Sequence, residues 1–306
     1  MFSSRIAILG AGSVGSAIAY SLIINPVCSE VLLVDPQTEV RDAQVEDLGD
    51  ASFAGVRVRA GTHKEAGQCS IVIITAGAKQ RPGESRTDLL QRNLNILHSA
   101  IEDMKPFHED TVILLVANPV DVLTYFAQQM AGLPKEQVIG SGTFLDSTRL
   151  RGILARKVDL DPASIHAYVI GEHGDSQLVA WSTITVGGAS LENELRQRSI
   201  DLDRKAVAEE TRDKAAKIIK AKGATAYGIG GVAAILCKSI LFDERKVRPV
   251  SHWNEELQCC LSLPVVLGRK GIVRNLSIVL VEEEKALLEK SAGTLRGLIA
   301  TAGGKE

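Results

Sequence analysis

Short runs of β-branched residues recur through the first half of the chain, at about 5–10, 31–35, 56–60, 71–75 and 112–116, with amphipathic stretches between most of them. Alternation of this kind predicts a parallel sheet covered by helices. The pattern changes near Gly140-Ser141-Gly142. Beyond it come a helical pattern over 144–157, a long charged one over 201–222 and an apolar one over 227–241. Alternating residues at 263–267 and 272–280 predict antiparallel strands, and 282–300 a closing helix. The chain therefore divides into residues 1–142, an α/β parallel-sheet domain, and residues 143–306, a mixed α+β domain. Its 306 residues favour two lobes, because single cores stop growing at roughly 250–300 residues.

Composition narrows the function classes. A hydrophobic fraction of 45% beside 24% charged residues is enough to bury a sizeable core. A net charge of -2 leaves no basic footprint, and 4% aromatic residues leave few platforms for bases, so nucleic acid is not an expected partner. The apolar runs are too short to span a bilayer, and the N terminus passes straight into Arg5-Ile6-Ala7-Ile8-Leu9 with no signal-peptide core. The expectation is a cytoplasmic protein without membrane contact. Cys28, Cys69, Cys237, Cys259 and Cys260 are odd in number and lack paired zinc-ligand spacing. They read as reduced packing residues, and no metal site is expected.

Gly10-Ala11-Gly12-Ser13-Val14-Gly15 follows the first strand and opens a helix whose apolar face includes Val14, Ile18 and Leu22. A bare GxGxxG is weak evidence, but strand before and helix after make this a Rossmann-type dinucleotide loop. Gly10 permits the tight turn, Gly12 lets the backbone approach a pyrophosphate, and Gly15 allows close helix packing. Ser13 and Val14 supply helix N-terminal N–H groups. The next strand, Val31-Leu32-Leu33-Val34-Asp35, ends in a carboxylate 20 residues after Gly15, where such folds bind the adenine ribose hydroxyls. Asp35 would repel a 2′-phosphate, so NAD rather than NADP is the expected cofactor.

In the second half, Gly171-Glu172-His173-Gly174-Asp175-Ser176 places a histidine between glycines on a constrained turn. A loop histidine alone is more often a surface residue. In Leu145-Asp146-Ser147-Thr148-Arg149 a helix would put Asp146 and Arg149 on one face, and the bland reading is an exposed ion pair worth a few tenths of a kcal/mol. The loop Lys79-Gln80-Arg81-Pro82-Gly83-Glu84-Ser85-Arg86 is cationic and punctuated by Pro and Gly, which fits either a solvated loop or a lid.

Taken in order, GAGSVG, VLLVD, GESRTDLLQRN, VANPVD, GSGTFLDSTRLR, HAYVIGEHGDS and KGATAYG make the chain resemble the lactate and malate dehydrogenase family over essentially its whole length. The resemblance implies that His173 donates and accepts the proton, that Asp146 orients it, and that Arg149 grips a substrate carboxylate. It also implies that Arg86 swings in on a mobile lid to polarise the carbonyl, and that Asn118, before a typically cis proline, lies near the reacting oxygen and the nicotinamide. Thr225 and Ile229 match positions lining the substrate carboxylate and the nicotinamide ring, although helix packing alone would account for Ile229.

Selectivity turns on Gln80, six residues before Arg86, where similar malate enzymes carry Arg. A neutral amide there leaves the second carboxylate of oxaloacetate without a partner, so pyruvate fits. A one-residue shift that brings Arg81 inward would favour oxaloacetate instead. The implied activity is NADH-dependent reduction of pyruvate to L-lactate in glycolytic fermentation, by a homotetramer. Arg151 and His166 match positions that bind fructose 1,6-bisphosphate in allosteric bacterial relatives. Rival readings are malate dehydrogenase, an NAD-binding protein without catalysis, and an NAD-dependent glycosidase, for which no Cys/His metal site is evident.

Overall fold

The computed structural model describes residues 4–53, 55–78, 83 and 85–303. The first half supplies strands β1 (Arg5–Leu9), β2 (Glu30–Val34), β3 (Arg57–Ala60), β4 (Ile71–Ile74), β5 (Val112–Leu115) and β6 (Val138–Gly140). Helices α1 (Ser13–Ile24), α2 (Thr38–Asp50), α3 (His63–Ala66), α4 (Arg86–Met104) and α5 (Val120–Ala131) connect them. The strands pair in parallel in the order β3-β2-β1-β4-β5-β6. Strand order reverses between β1 and β4, which opens a crevice at their carboxyl ends where open α/β sheets bind ligands.

These strands are continuous apolar runs because both faces of the sheet are covered. Successive side chains go to opposite sides. Ile6, Ile8, Ile71 and Ile73 enter the core shared with Ile18 and Leu22 of α1. Ala7, Leu9, Val72 and Ile74 enter the one shared with Leu94 and Ile101 of α4 and Leu123 of α5.

The second half continues with α6 (Phe144–Val158), β7 (Ile165–His166), β8 (Val169–Ile170), β9 (Leu178–Val179), β10 (Thr185–Val186) and β11 (Ala189–Ser190). Then come α7 (Leu191–Gln197), α8 (Arg204–Lys222), α9 (Tyr227–Leu241), β12 (Val247–Asn254), β13 (Cys259–Gly268), β14 (Gly271–Asn275) and α10 (Glu282–Gly303). Strands β12 to β14 run antiparallel and join the parallel sheet through Ser251 opposite Gly140, which gives a nine-stranded sheet among the described residues. The second half therefore extends the sheet of the first and shares both flanking cores. A third core forms between α6, α7, α8 and the short strands, around Leu150, Ile153, Leu154 and Val207.

The expected strand over 272–280 is a correction. Pairing stops at Asn275, and Ile278 and Leu280 instead pack on the core that includes Leu288 and Leu295 of α10. Their alternation reflects burial under a helix, with no ladder. Strand β12 was not anticipated, because buried Ser251 and His252 interrupt its apolar pattern. All five cysteines are buried and free, and burial pushes the Cys28 thiol up to about 12 and Cys69 up to about 11. Among the described residues no helix is long and apolar enough to cross a membrane, and no His, Cys, Asp and Glu cluster could hold a metal.

Candidate active site

The crevice begins at the glycine loop between β1 and α1. Gly10 has φ +104°, and a Cβ there would lie 2.6 Å from Thr75 Oγ1. At Gly15 a Cβ would stand 1.8 Å from the Gly10 carbonyl oxygen, so only glycine lets α1 start so close to β1. Space in front of Gly12 is open, and no side chain caps α1. Ser13 and Val14 form its first turn. Asp35, at the end of β2, accepts from the Ala11 N–H (2.8 Å) and from the Gln37 N–H (2.8 Å). An uncapped helix start, an open glycine and a carboxylate at the second strand fit an adenine dinucleotide. Gly15→Ala is expected to abolish NADH binding or leave the chain insoluble, which titration of nucleotide fluorescence against the purified variant would check.

A second group of side chains meets on α6 and the turn after β8. Phe144 and Leu150 anchor α6 in different cores, while Ser147 Oγ accepts from the Val169 N–H (2.9 Å) and holds the helix against β8. Gly171 exchanges backbone hydrogen bonds with Ser262 of β13, and its φ of +87° turns the chain. Glu172 N–H donates to Ser291 Oγ of α10 (2.9 Å), and His173 N–H to Asp121 Oδ2 of α5 (2.7 Å). Three elements thus pin the turn that carries His173.

His173 Nδ1 lies 2.7 Å from Asp146 Oδ2, and Arg149 Nη1 donates to Asp146 Oδ1 at 3.0 Å. Asp146 is 2% exposed and the Arg149 side chain 9%, so this pair is not a solvated one. Burial pushes the Asp146 carboxyl up, but His173 and Arg149 outweigh it and hold it below its ordinary value. The carboxylate is therefore ionised, Nδ1 carries a proton, and Nε2 is the atom left for proton exchange. Burial would lower the His173 pKa. The hydrogen bond and charge of Asp146, with the charge of Asp121, reverse that and raise it.

The chain matches the family model for the lactate/malate dehydrogenase NAD binding domain over residues 4–140, and that for the alpha/beta C-terminal domain over 143–305. The chain belongs to the lactate/malate dehydrogenase family. Among its relatives, L-lactate dehydrogenase A of Rhizopus oryzae is 47% identical, covering 96% of this chain and 92% of that protein. L-lactate dehydrogenase of Thermus aquaticus is 42% identical, covering 98% and 99%. A lactate dehydrogenase from a Medee basin deep-sea metagenome library has a similar structure, with TM-score 0.96 at 32% identity over 99% of this chain and 100% of that one. The minor L-lactate dehydrogenase from Enterococcus mundtii, in its ligands-bound form, gives TM-score 0.94 at 34% identity over 98% of each chain.

In this member of the lactate/malate dehydrogenase family a chain of contacts joins the glycine loop to His173. Thr75 Oγ1 donates to Gly10 O (3.2 Å). Asn93 of α4 accepts from the Ala78 N–H (2.8 Å) and donates to the Asn118 carbonyl (3.0 Å). Asn118 is exposed, and its bond to Pro119 is cis. Asp121 follows in the first turn of α5. Val14, Leu145 and Ile229 pack on one core, and a Cβ at Gly230 would lie 2.8 Å from Ala17 O, so α9 sits close on α1. Thr225 is half-buried in the turn before α9.

Gln80 and Arg81 lie outside the described residues, as does the side chain of Arg86. The backbone of Arg86 begins α4, with Ser85 Oγ capping through the Asp88 N–H (3.1 Å). Arg151 lies with Arg248 around the Phe144 ring, at 5.9 and 5.0 Å from its centroid. Burial lowers the pKa of both guanidinium groups. His166 is exposed on β7, and none of the described hydrogen bonds joins it to Arg151. Among the described residues, the lining of a cavity of about 680 Å³ that holds Lys135, His252 and Trp253 does not include Asp146, Arg149, Arg151, His166 or His173. Asn93 and Asp121 carry no spacing signal of their own, although both stand inside family-like motifs, at the end of GESRTDLLQRN and of VANPVD.

Proposed function

We propose that the chain is an NAD-dependent L-lactate dehydrogenase that reduces pyruvate reversibly to L-lactate. The observation that carries this reading is the array of half-buried His173 on the enclosed Asp146–Arg149 pair, in a chain whose relatives are named L-lactate dehydrogenase. NADH, when bound, supplies the hydride for the carbonyl carbon. Arg149 holds the pyruvate carboxylate by a two-pronged contact. Thr225 lines that end of the substrate, and Asn118 and Ile229 face the nicotinamide side. Closure of the 79–86 loop brings Arg86 to the carbonyl oxygen and excludes water, so its charge acts in a medium of low dielectric. His173 gives its Nε2 proton to that oxygen, and Asp146 stabilises the ring while it is protonated. The division at 142/143 separates cofactor binding from substrate binding.

Gln80 supports pyruvate over oxaloacetate through the match of the loop to its family, and the names of the relatives favour the same choice. In an absorbance assay with a panel of 2-oxo acids, NADH oxidation is expected to be fastest with pyruvate. A kcat/KM favouring oxaloacetate would transfer the reading to malate dehydrogenase with Arg81 inward, and no oxidation with any acid would leave a non-catalytic NAD-binding protein. Gln80→Arg is expected to raise the oxaloacetate-to-pyruvate ratio of kcat/KM by roughly 10²-fold or more, since it supplies the missing partner for a buried carboxylate.

The assembly proposed is a cytoplasmic homotetramer serving glycolytic fermentation. Arg151, with His166, is assigned to fructose 1,6-bisphosphate, an assignment supported by the paired guanidinium groups of Arg151 and Arg248. Identical pyruvate saturation curves with and without that effector would remove it.

A further inference from the structure

Asp121 has no part in the steps above, yet it is built into the same turn. It stands in the first turn of α5, is 2% exposed, and accepts the His173 N–H through Oδ2 at 2.7 Å. Its Oδ1 is buried too, and the Ser251 hydroxyl of β12 is its polar neighbour. Glu172 and His173 face it from the turn after β8, and Cys259 and Cys260 from β13. Beyond His173 stand Asp146 and Arg149 of α6. Among these groups His173 is the one whose positive charge offsets that of Asp121, while Glu172 opposes it. A desolvated carboxylate beside an imidazole gains most when the imidazole is protonated.

We propose that Asp121 is a positioning residue for His173, a second carboxylate that anchors the turn through the main-chain N–H and favours the protonated imidazole. This rests on His173 as the proton donor. Burial pushes Asp121 up to about 6, while Ser251, the His173 N–H and the His173 charge pull it back. In return, the charge of Asp121 raises His173. Above that range the ionised pair supports itself, so the proton stays on His173 where pyruvate reduction needs it.

Asp121→Asn keeps an acceptor for the main-chain N–H and removes the charge. The alkaline limb of kcat/KM for pyruvate is expected to move down by roughly half a pH unit to one unit, with the variant and the parent converging at low pH. A uniform loss with the limb in place would mean a merely structural role and overturn the proposal. The imidazole titration of His173 by nuclear magnetic resonance, assigned through its loss in His173→Asn, is expected to move the same way in the NADH-free protein. Superimposable curves would also overturn it. If the unmodified protein fails to reduce pyruvate, the proposed activity falls, and the resonance titration still decides Asp121. If Asp121→Asn does not fold, the titration of the unmodified protein decides: two inflections support the coupling, one refutes it.

Discussion

The His173→Asn variant is expected to bind NADH as tightly as the parent and to reduce pyruvate roughly 10³-fold more slowly, within the span that general acid catalysis supplies. Asparagine suits the test because its Nδ2 can donate to Asp146 where Nδ1 does now, so the carboxylate, 2% exposed, keeps a partner. Leaving it bare would cost several kcal/mol and confuse lost chemistry with lost fold. The parent should show a pH signature that the variant lacks. With the imidazole pKa raised by Asp146 and Asp121 against burial, the proton needed for reduction persists through neutral pH and is lost as pH rises through the raised value. Lactate oxidation needs the neutral ring and should increase over that same window. The sign for folding follows from linkage: the raised pKa adds stability that is complete below the unfolded imidazole value and disappears as pH climbs through the folded one. Single-turnover kinetics from about pH 5 to 9, with NADH and pyruvate for one direction and NAD and lactate for the other, would check both limbs. A variant retaining more than a tenth of the parental rate would remove His173 from the chemistry.

The parallel half of the fold was legible because burial on both faces leaves unbroken apolar runs, such as Ile71–Ile74, and because Gly10 and Gly15 meet separate steric needs while the space before Gly12 stays open. Legibility failed where polar residues are buried. Ser251 and His252 hide β12, and with it the fact that the second half completes the sheet. At 278 and 280 the opposite error arose, since packing beneath α10 produced an alternation that resembles a strand. In the site, flanking glycines single out His173 and spacing puts Asp146 with Arg149 on one face, but their roles came from the resemblance to the family and not from either pattern. What no spacing reveals is burial. The pair that would be worth little on a surface helix is almost wholly enclosed, and its value lies in fixing charge beside an imidazole. Asn93 and Asp121 act through main-chain groups far along the chain, a kind of contact without a sequence period.

Arg149 is where shape and charge can be separated. Arg149→Lys keeps a cation beside Asp146 but loses the fork that meets both oxygens of a carboxylate, and kcat/KM for pyruvate is expected to fall by roughly 10²-fold, mainly through KM. Arg149→Gln loses the charge as well and should fall further, by roughly 10³-fold or more, because the substrate carboxylate would then be buried without a counter-ion. The two variants should also differ in pH behaviour. Arg149 lowers the His173 pKa through its charge, so glutamine should let the imidazole rise and carry the reduction limb to higher pH, whereas lysine should leave the limb near its parental place. NADH affinity is expected to be the same in all three proteins, since the glycine loop and Asp35 stand on other elements. Measuring pyruvate KM, kcat and the alkaline limb in parallel checks every arm. Equal KM values for lysine and arginine would mean that the carboxylate is held elsewhere, and a limb that stays put in the glutamine variant would mean that Arg149 does not face His173 in the working enzyme.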